Sequence, residues 1–251
     1  MSRTCSKSLR PDGGTDSSRQ TYDAGMDPLT VLAETALFRG FPTDQLEPLV
    51  TNVKARSFPR ASTIFREGDP GNVLYVIVSG QVKIGHIGRG GEEIVYAVLL
   101  PGDSFGELAL FDERSVRSAD AEAMEVTECL TLGREAFFSF LDTHPRAVRH
   151  LVTLFSTYIR AMDEAISEAA FLDIPGRVAK KLLDLSESQG EATSQGRRIR
   201  MRLTQRTLAG MVGASRENVN RALARLVAHG DIALDKGFIT IVKAGELRKH
   251  V

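Results

Sequence analysis

Only two of the 251 residues are cysteine, Cys5 and Cys129, and they lie far apart in the chain. Such a pair implies neither a disulfide framework nor a metal cluster, and it cannot hold an iron–sulfur centre, which takes about four thiolates. Long apolar runs are missing too, since none approaches the roughly 18 residues of a membrane span. His86, His144 and His150 show no ligand spacing, so no haem is expected. No nucleophile–base pairing, metal-ligand cluster or Walker-type loop appears, and the chain is not expected to be an enzyme. Residues 1–26 lack an apolar core and are rich in Ser, Thr, Gly and Asp. They read as a disordered tail rather than a signal peptide, with translation from Met26 as the alternative. A cytoplasmic protein with no membrane partner fits these absences.

Net charge is absent as well, because 32 Lys+Arg balance 32 Asp+Glu. The balance hides an asymmetry. Residues 174–251 hold 15 Lys+Arg against 7 Asp+Glu, a net of +8, and subtraction leaves 17 against 25, a net of −8, for the rest. One basic third on a neutral chain points to a polyanionic partner. Apolar content of 42% and charge of 25% are those of a globular protein. The length suits two ordinary domains.

After the tail, Pro28–Arg39 and Thr43–Val53 read as short helices, the second capped by Thr43 with Leu46, Leu49, Val50 and Val53 on one face. From Arg56 the apolar period falls to two. Strands are predicted over Ser57–Phe58, Thr63–Phe65, Val73–Val78, Gln81–Ile87, Glu93–Leu99 and Glu125–Leu132. Turns at Glu67–Gly71, Ser79–Gly80, Gly88–Gly91 and Pro101–Asp103 separate them. Many short strands indicate an antiparallel sandwich or barrel. Arg134–Asp142 returns to helix. Further on, Asp173 caps a helix through Arg177–Gln189 with Pro175 in its first turn. Ser186–Gly196 reads as a loop, and Asp231–Leu234 with Phe238–Val242 as a terminal hairpin. The class is α+β, with a strand-built domain over 27–143, a hinge over 144–172 and a basic domain over 173–251.

The hinge is a helix over Pro145–Ala170. Val148, Val152, Phe155, Ile159, Met162, Ile166 and Ala169 follow one another at steps of four and three. That 3.5-residue period lays one apolar seam along about 39 Å of helix. Arg146, Arg149, Arg160, Asp163, Glu164 and Glu168 lie off the seam. The pattern predicts self-association through the helix, a homodimer whose axis also joins the two domains.

Two stretches carry readable chemistry. In the first, Phe105–Phe111 followed by Arg117-Ser118-Ala119, Gly106 permits close backbone approach to an anion. Arg117 offers a guanidinium fork matched to phosphate oxygens, and Ser118 a hydroxyl. Glu107 can accept from a sugar hydroxyl. Together they fit a ribose phosphate, although a turn with a surface Glu–Arg pair would read the same. In the second stretch, Thr204 caps a helix over Gln205–Val212, Gly213-Ala214 turns the chain, and Ser215 caps Arg216–His229. Leu208, Met211, Val212, Val219, Leu223 and Leu226 would join the pair, leaving Arg216, Glu217, Asn220 and Arg221 outside. That is the punctuation of a helix-turn-helix, with long polar side chains where base edges are read.

These residues resemble one family. Phe105–Ala119, Glu67-Gly68, Tyr75–Gly80 and Gly213–Arg221 are similar to the cyclic-AMP receptor protein (Crp-Fnr) family, and the resemblance runs in order over about residues 28–245. It implies an N-terminal antiparallel β-roll that binds a cyclic nucleotide, a long dimerisation helix and a C-terminal winged helix-turn-helix, in a prokaryotic transcription regulator that associates with the nucleoid when DNA-bound. It assigns Glu107 to the ribose 2′-hydroxyl and Arg117 and Ser118 to the cyclic phosphate. Backbone contacts are implied near Gly106, Leu108 and Ala109. It further implies that Arg216, Glu217 and Arg221 read a TGTGA-like half-site of double-stranded DNA, while Thr204, Arg206 and Ser215 are candidates for phosphates. The hairpin becomes the wing, and a contact with RNA polymerase is expected, with Ser186–Arg200 as one candidate surface. The resemblance breaks at the adenine contacts, where Met162 and Asp163 replace a Thr and a small polar residue. Met162 can stack on a purine but offers no hydroxyl. Cyclic AMP remains the first-ranked ligand, and the alternative is the same DNA-binding regulator acting independently of it.

Overall fold

A computed structural model describes residues 27–88, 90 and 92–251. The predicted tail, with Cys5 and Met26, lies outside the described residues, as do Arg89 and Gly91 of one predicted turn. Helix α1 (Pro28–Glu34) is capped by Asp27, whose side chain accepts from the Leu29 N–H. Helix α2 (Thr43–Val50) starts at its expected cap residue, one position earlier than predicted. Pro42 occupies the cap position, and Thr43 is the first helical residue. Val53 belongs not to α2 but to strand β1 (Val53–Phe58).

Two antiparallel sheets follow. One has the order β1-β8-β3-β6, with β3 at Val73–Ser79, β6 at Ser104–Phe105 and β8 at Thr127–Gly133. The other has the order β2-β7-β4-β5, with β2 at Thr63–Phe65, β4 at Val82–Ile87, β5 at Glu93–Leu99 and β7 at Asp120–Ala123. Neither β6 nor β7 was expected. The sequence Asp-Ala-Glu-Ala of β7 buries only its two alanines, which carry too little apolar signal to announce a strand.

Strand β3 is apolar without interruption because both of its faces are covered. Tyr75 and Ile77 point between the sheets, onto Phe65, Val82, Phe105, Ala121 and Cys129. Leu74, Val76 and Val78 point the other way, into a cluster built by α1, α2, α4 (Arg134–Thr143) and the foot of α5 (Pro145–Phe171). Phe137 of α4 is fully buried there, and cutting it to alanine would cost about 3–5 kcal/mol.

Helix α5 runs to Phe171, one residue beyond the prediction. Ala147 and Leu151 bury its first turns against the roll. Along the predicted seam, Val148, Val152, Ile159, Met162 and Ile166 are exposed, up to 68% at Ile166. Phe155 differs. It is half-buried against the roll's cluster, with its ring edge-on to Phe111 at 5.9 Å. Leu172 then takes an extended conformation, and Asp173 caps α6 (Ile174–Gln189) by accepting from Gly176 N–H at 2.8 Å.

The expected loop over Ser186–Gly196 is not a loop. Helix α6 continues to Gln189, and the chain then forms a hairpin of β9 (Gly190–Thr193) and β10 (Gly196–Ile199). Its side chains are mostly exposed and polar, so no apolar alternation betrays it. Gly196 sits at φ +136°, and a Cβ there would meet the Ile241 carbonyl at 2.1 Å, which is why β10 can lie against the next strand. Helices α7 (Gln205–Val212) and α8 (Arg216–Ala228) and strands β11 (Ile232–Asp235) and β12 (Phe238–Ile241) complete the domain, with sheet order β11-β12-β10-β9. A short α9 (Ala244–Leu247) closes the chain.

Candidate functional site

The chain enters the first site through a turn at Gly102 (φ +90°) and through β6. Gly106 then adopts φ +84°, which turns Glu107 inward and opens the four-residue helix α3 (Leu108–Phe111). Leu108 and Ala109 are the first residues of α3, so their N–H groups have no partner within the helix. Leu108 is exposed and Ala109 buried.

Arg117 is threaded between two glycines. A Cβ on Gly106 would lie 2.6 Å from its Nη1, and one on Gly71 would lie 3.0 Å from its Cδ and Nε. Only glycine leaves room at both places, and Gly71 is a site residue the sequence did not flag. The guanidinium donates from Nη1 to the Gly106 carbonyl at 2.8 Å and from Nη2 to the Val73 carbonyl at 2.9 Å. Its carbon lies 4.2 Å from the ring centre of Phe65 and 5.5 Å from that of Tyr75. Arg117 is 4% exposed, and burial pulls its pKa below the usual arginine value, opposed by Tyr75, Glu107 and Asp69. An arginine so placed still carries its charge at neutral pH.

Glu107 is 3% exposed. Burial raises its pKa above the ordinary value of 4.5, opposed by its own N–H, by the Tyr158 hydroxyl and by Arg117. Among the described residues its Oε2 has no hydrogen-bond partner, and neither has Arg117 Nε. A buried carboxylate oxygen and a buried guanidinium N–H thus face the same region with capacity to spare. Ser118, beside Arg117, is exposed.

The helix residue that acts on Glu107 within the chain is Tyr158 of α5: its hydroxyl opposes the rise of the carboxyl pKa, while burial, and after it Glu107, pushes the tyrosine up. Met162 and Asp163, the expected base contacts, are both exposed. Tyr158 stands one helical turn before Met162 on the same face, and that spacing was the signal that could have found it.

The second site is built by capping. The Thr204 hydroxyl accepts from Thr207 N–H at 3.0 Å to start α7, and Gly213 ends the helix in the left-handed region at φ +59°. The Ser215 hydroxyl accepts from Asn218 N–H at 3.3 Å to start α8. Leu208, Val212, Val219, Leu223 and Leu226 are buried between the helices and the sheet, with Met211 half-buried beside them. Arg216, Glu217 and Arg221 project into solvent along α8, as do Thr204, Arg206 and Ser215. The carboxyl of Glu217 is held below the usual range by its own N–H and the Ser215 hydroxyl, so it is an acceptor at neutral pH.

Asn220 does not share the outer face. It is half-buried, and its Oδ1 is shut off from solvent without a partner among the described residues. Two residues were missed here. Arg225 is exposed one turn beyond Arg221, and Asn218 accepts a hydrogen bond from the Arg221 guanidinium and orients it. Phe238 of the hairpin lies under Arg198, 4.0 Å from its ring centre, and Arg202, at 5.2 Å. This sets cations beside the helix pair.

A roll with a buried carboxylate and guanidinium, joined by one long helix to a basic winged helix-turn-helix, is the plan of a ligand-responsive DNA-binding regulator. Residues 55–144 match the cyclic nucleotide-binding domain family, and residues 176–250 match the Crp-like helix-turn-helix domain family. The chain is 34% identical over 220 residues to the CRP-like cAMP-activated global transcriptional regulator of Mycobacterium tuberculosis, covering 88% of this chain and 98% of that one. It is 32% identical over 213 residues to the cyclic AMP receptor protein of Thermus thermophilus, covering 85% and 95%. Among solved structures, the c-di-GMP responsive global regulator CLP of Xanthomonas campestris superposes with a TM-score of 0.70 at 26% identity, over 80% of this chain and 99% of that one. The chain belongs to the CRP/FNR family of DNA-binding transcription regulators, which act as dimers.

Proposed function

We propose that the chain acts as a homodimer that binds a TGTGA-like palindrome in double-stranded DNA, and that cyclic AMP raises its affinity for that palindrome. The observation that carries this reading is the burial of both Glu107 and Arg117 about Gly106, each with a polar atom left unpartnered among the described residues. A carboxylate accepts from a ribose 2′-hydroxyl, and a guanidinium fork donates to a cyclic phosphate. Of the five N–H donors of Arg117, two are used on the Gly106 and Val73 carbonyls, so the others serve the phosphate without a large rearrangement. Ser118 and the free N–H groups of Leu108 and Ala109 would complete the phosphate side.

Met162 lies on the exposed seam of α5, so its contact with a base would form where two copies meet. A ligand held there binds one arrangement of the paired helices better than another. That preference would set the two α8 helices into successive major grooves, about 34 Å apart. Arg216 and Arg221 would fork onto guanine, and Glu217 would accept from a cytosine amino group. Thr204, Arg206 and Ser215 would hold phosphates. We place the protein in the cytoplasm, with Ser186–Arg200, the end of α6 and the β9–β10 hairpin, as one candidate surface for RNA polymerase.

Met162 in place of a hydroxyl residue favours a second reading: the same regulator, indifferent to cyclic AMP or answering another ligand. Fluorescence anisotropy of a labelled palindrome, titrated with cyclic AMP, cyclic GMP or cyclic di-GMP, separates the two. Cyclic AMP alone is expected to tighten binding, and Arg117→Leu to lose the stimulation with its circular dichroism spectrum unchanged. Full stimulation in Arg117→Leu would reject the site. Tight binding unmoved by any of the three would select the second reading.

A further inference from the structure

The strand-built domain and the basic domain meet most closely where one helix lies on one strand. Helix α7 lies on β5, the edge strand of its sheet, and Val95 and Val98 of that strand belong to the same apolar cluster as Leu208, Ala209 and Val212. Gly210 is the point of closest approach. A Cβ there would fall 2.7 Å from Val95 Cγ2 and 3.1 Å from the Glu93 carbonyl oxygen, and the three nearest atoms all belong to β5. Glycine inside a helix weakens it relative to alanine. Its φ at position 210 is an ordinary helical one, so the close approach of β5 is what the missing side chain serves.

One turn earlier on the same face, Arg206 donates from Nε to Glu93 Oε2 at 3.1 Å. The Glu93 side chain is 6% exposed and also pairs with Lys83, which in turn reaches Glu122 at 3.3 Å. Arg206 is the outer member of this network, with 65% of its side chain exposed. An ion pair that open is a weak tie, so the packing of Gly210 on Val95 sets the strength of the dock.

We propose that β5 is an intramolecular dock for the DNA-reading domain, and that Glu93 competes with DNA phosphate for Arg206. The inference rests on reading Arg206 as a phosphate contact. While α7 is docked, its guanidinium is paired and a carboxylate stands where a phosphate would come. DNA binding therefore requires release of α7 from β5, and a ligand that favours the released arrangement activates by that route. Undocking uncovers Val95 and Val98, so the released state carries an intrinsic cost that keeps the unstimulated protein closed.

Two substitutions outside the DNA-contacting and nucleotide-contacting groups test this in the full chain. Gly210→Ala wedges the contact while favouring the helix. Glu93→Gln removes the competing charge and leaves Lys83 its bond to Glu122. Both are measured by hydrogen exchange over residues 93–99 and by binding of palindromic and random duplexes, with and without cyclic AMP. Faster exchange is expected in both variants. Nucleotide-free binding to both duplexes should tighten by a factor on the order of 5 to 150, the usual span of a coupling between sites. Binding at saturating cyclic AMP should stay unchanged. Unchanged exchange in both variants would overturn the dock, and faster exchange without tighter nucleotide-free binding would overturn its inhibitory role. Wild-type protein that ignores cyclic AMP, alongside variants that bind DNA more tightly, would refute the nucleotide assignment and uphold the dock.

Discussion

Glu107 is the residue whose replacement is expected to stabilise the protein and disable it together. Its carboxylate is 3% exposed, with one oxygen unpartnered among the described residues. Leaving a buried polar group unsatisfied costs about 1–3 kcal/mol, and more when it is charged. Glu107→Gln keeps the shape and removes the charge, so without nucleotide at pH 7 it should gain about 1–3 kcal/mol. For a chain of this size, that raises the melting temperature of the roll by about 2–4 °C per kcal/mol. The pH dependence has a definite sign. Burial puts the folded pKa above 4.5, so between 4.5 and the folded value the native state binds more protons than the unfolded one. Wild-type stability therefore falls as pH rises through that window, and the full penalty persists above it. Below pH 4.5 wild-type Glu107 is neutral in both states and the advantage of the glutamine vanishes. Cyclic AMP at about 100 times its Kd should add roughly 2.7 kcal/mol to the wild type and nothing to the variant. Differential scanning calorimetry between pH 4 and 8, with and without cyclic AMP, reads each of these. A variant less stable than wild type at every pH would refute the buried-charge reasoning.

Tyr158→Phe removes the hydroxyl that draws the Glu107 pKa down, and should cost about 0.5–1.5 kcal/mol at neutral pH. In a Glu107→Gln background most of that loss should disappear, and a double-mutant cycle with no coupling would dismiss the contact. Ile159→Glu puts a charge on the seam of α5 at a residue 60% exposed within one chain. Sedimentation is expected to shift from dimer to monomer with the roll's unfolding unchanged, and an unaltered dimer would move the interface elsewhere. Arg216→Ala should cost about 1–3 kcal/mol at one base pair of the palindrome. An equal loss on random DNA would make it a phosphate contact only.

The legible parts of the fold were those with strong local punctuation. Helix α7 ran over the residues its caps predicted, and strand β5 ended where its turns placed it. Helix α5 overran by one residue. Strand β7 was illegible because alanine on its buried face is nearly silent as a pattern, and β9 because one of its faces offers only Gly190 and Ala192. At the proposed nucleotide site, Glu107 and Arg117 stood out as a charged pair beside a glycine turn. Gly71 and Tyr158 did not, because each matters through a residue distant in sequence: Arg117 passes Gly71, and Glu107 meets the tyrosine. Gly210 drew no attention within its helix, since the strand it admits lies in the other domain. Asn220 shows the opposite error, in which a polar residue near the start of a reading helix is half-buried.

A single turn of α5 faces three ways. Phe155 meets Phe111 at the end of the short helix after Glu107, the Tyr158 hydroxyl draws the Glu107 pKa down, and Ile159 stands outward on the seam. No spacer insulates sensing from assembly. Whatever tightens the seam tilts the same helical turn that grips the carboxylate, and reciprocity makes the exchange run both ways. On the proposed reading, the apparent nucleotide affinity of this chain is then a property of its own abundance. A cell holding few copies and a cell holding many would respond to different concentrations of the same signal, with no change in any residue of the site.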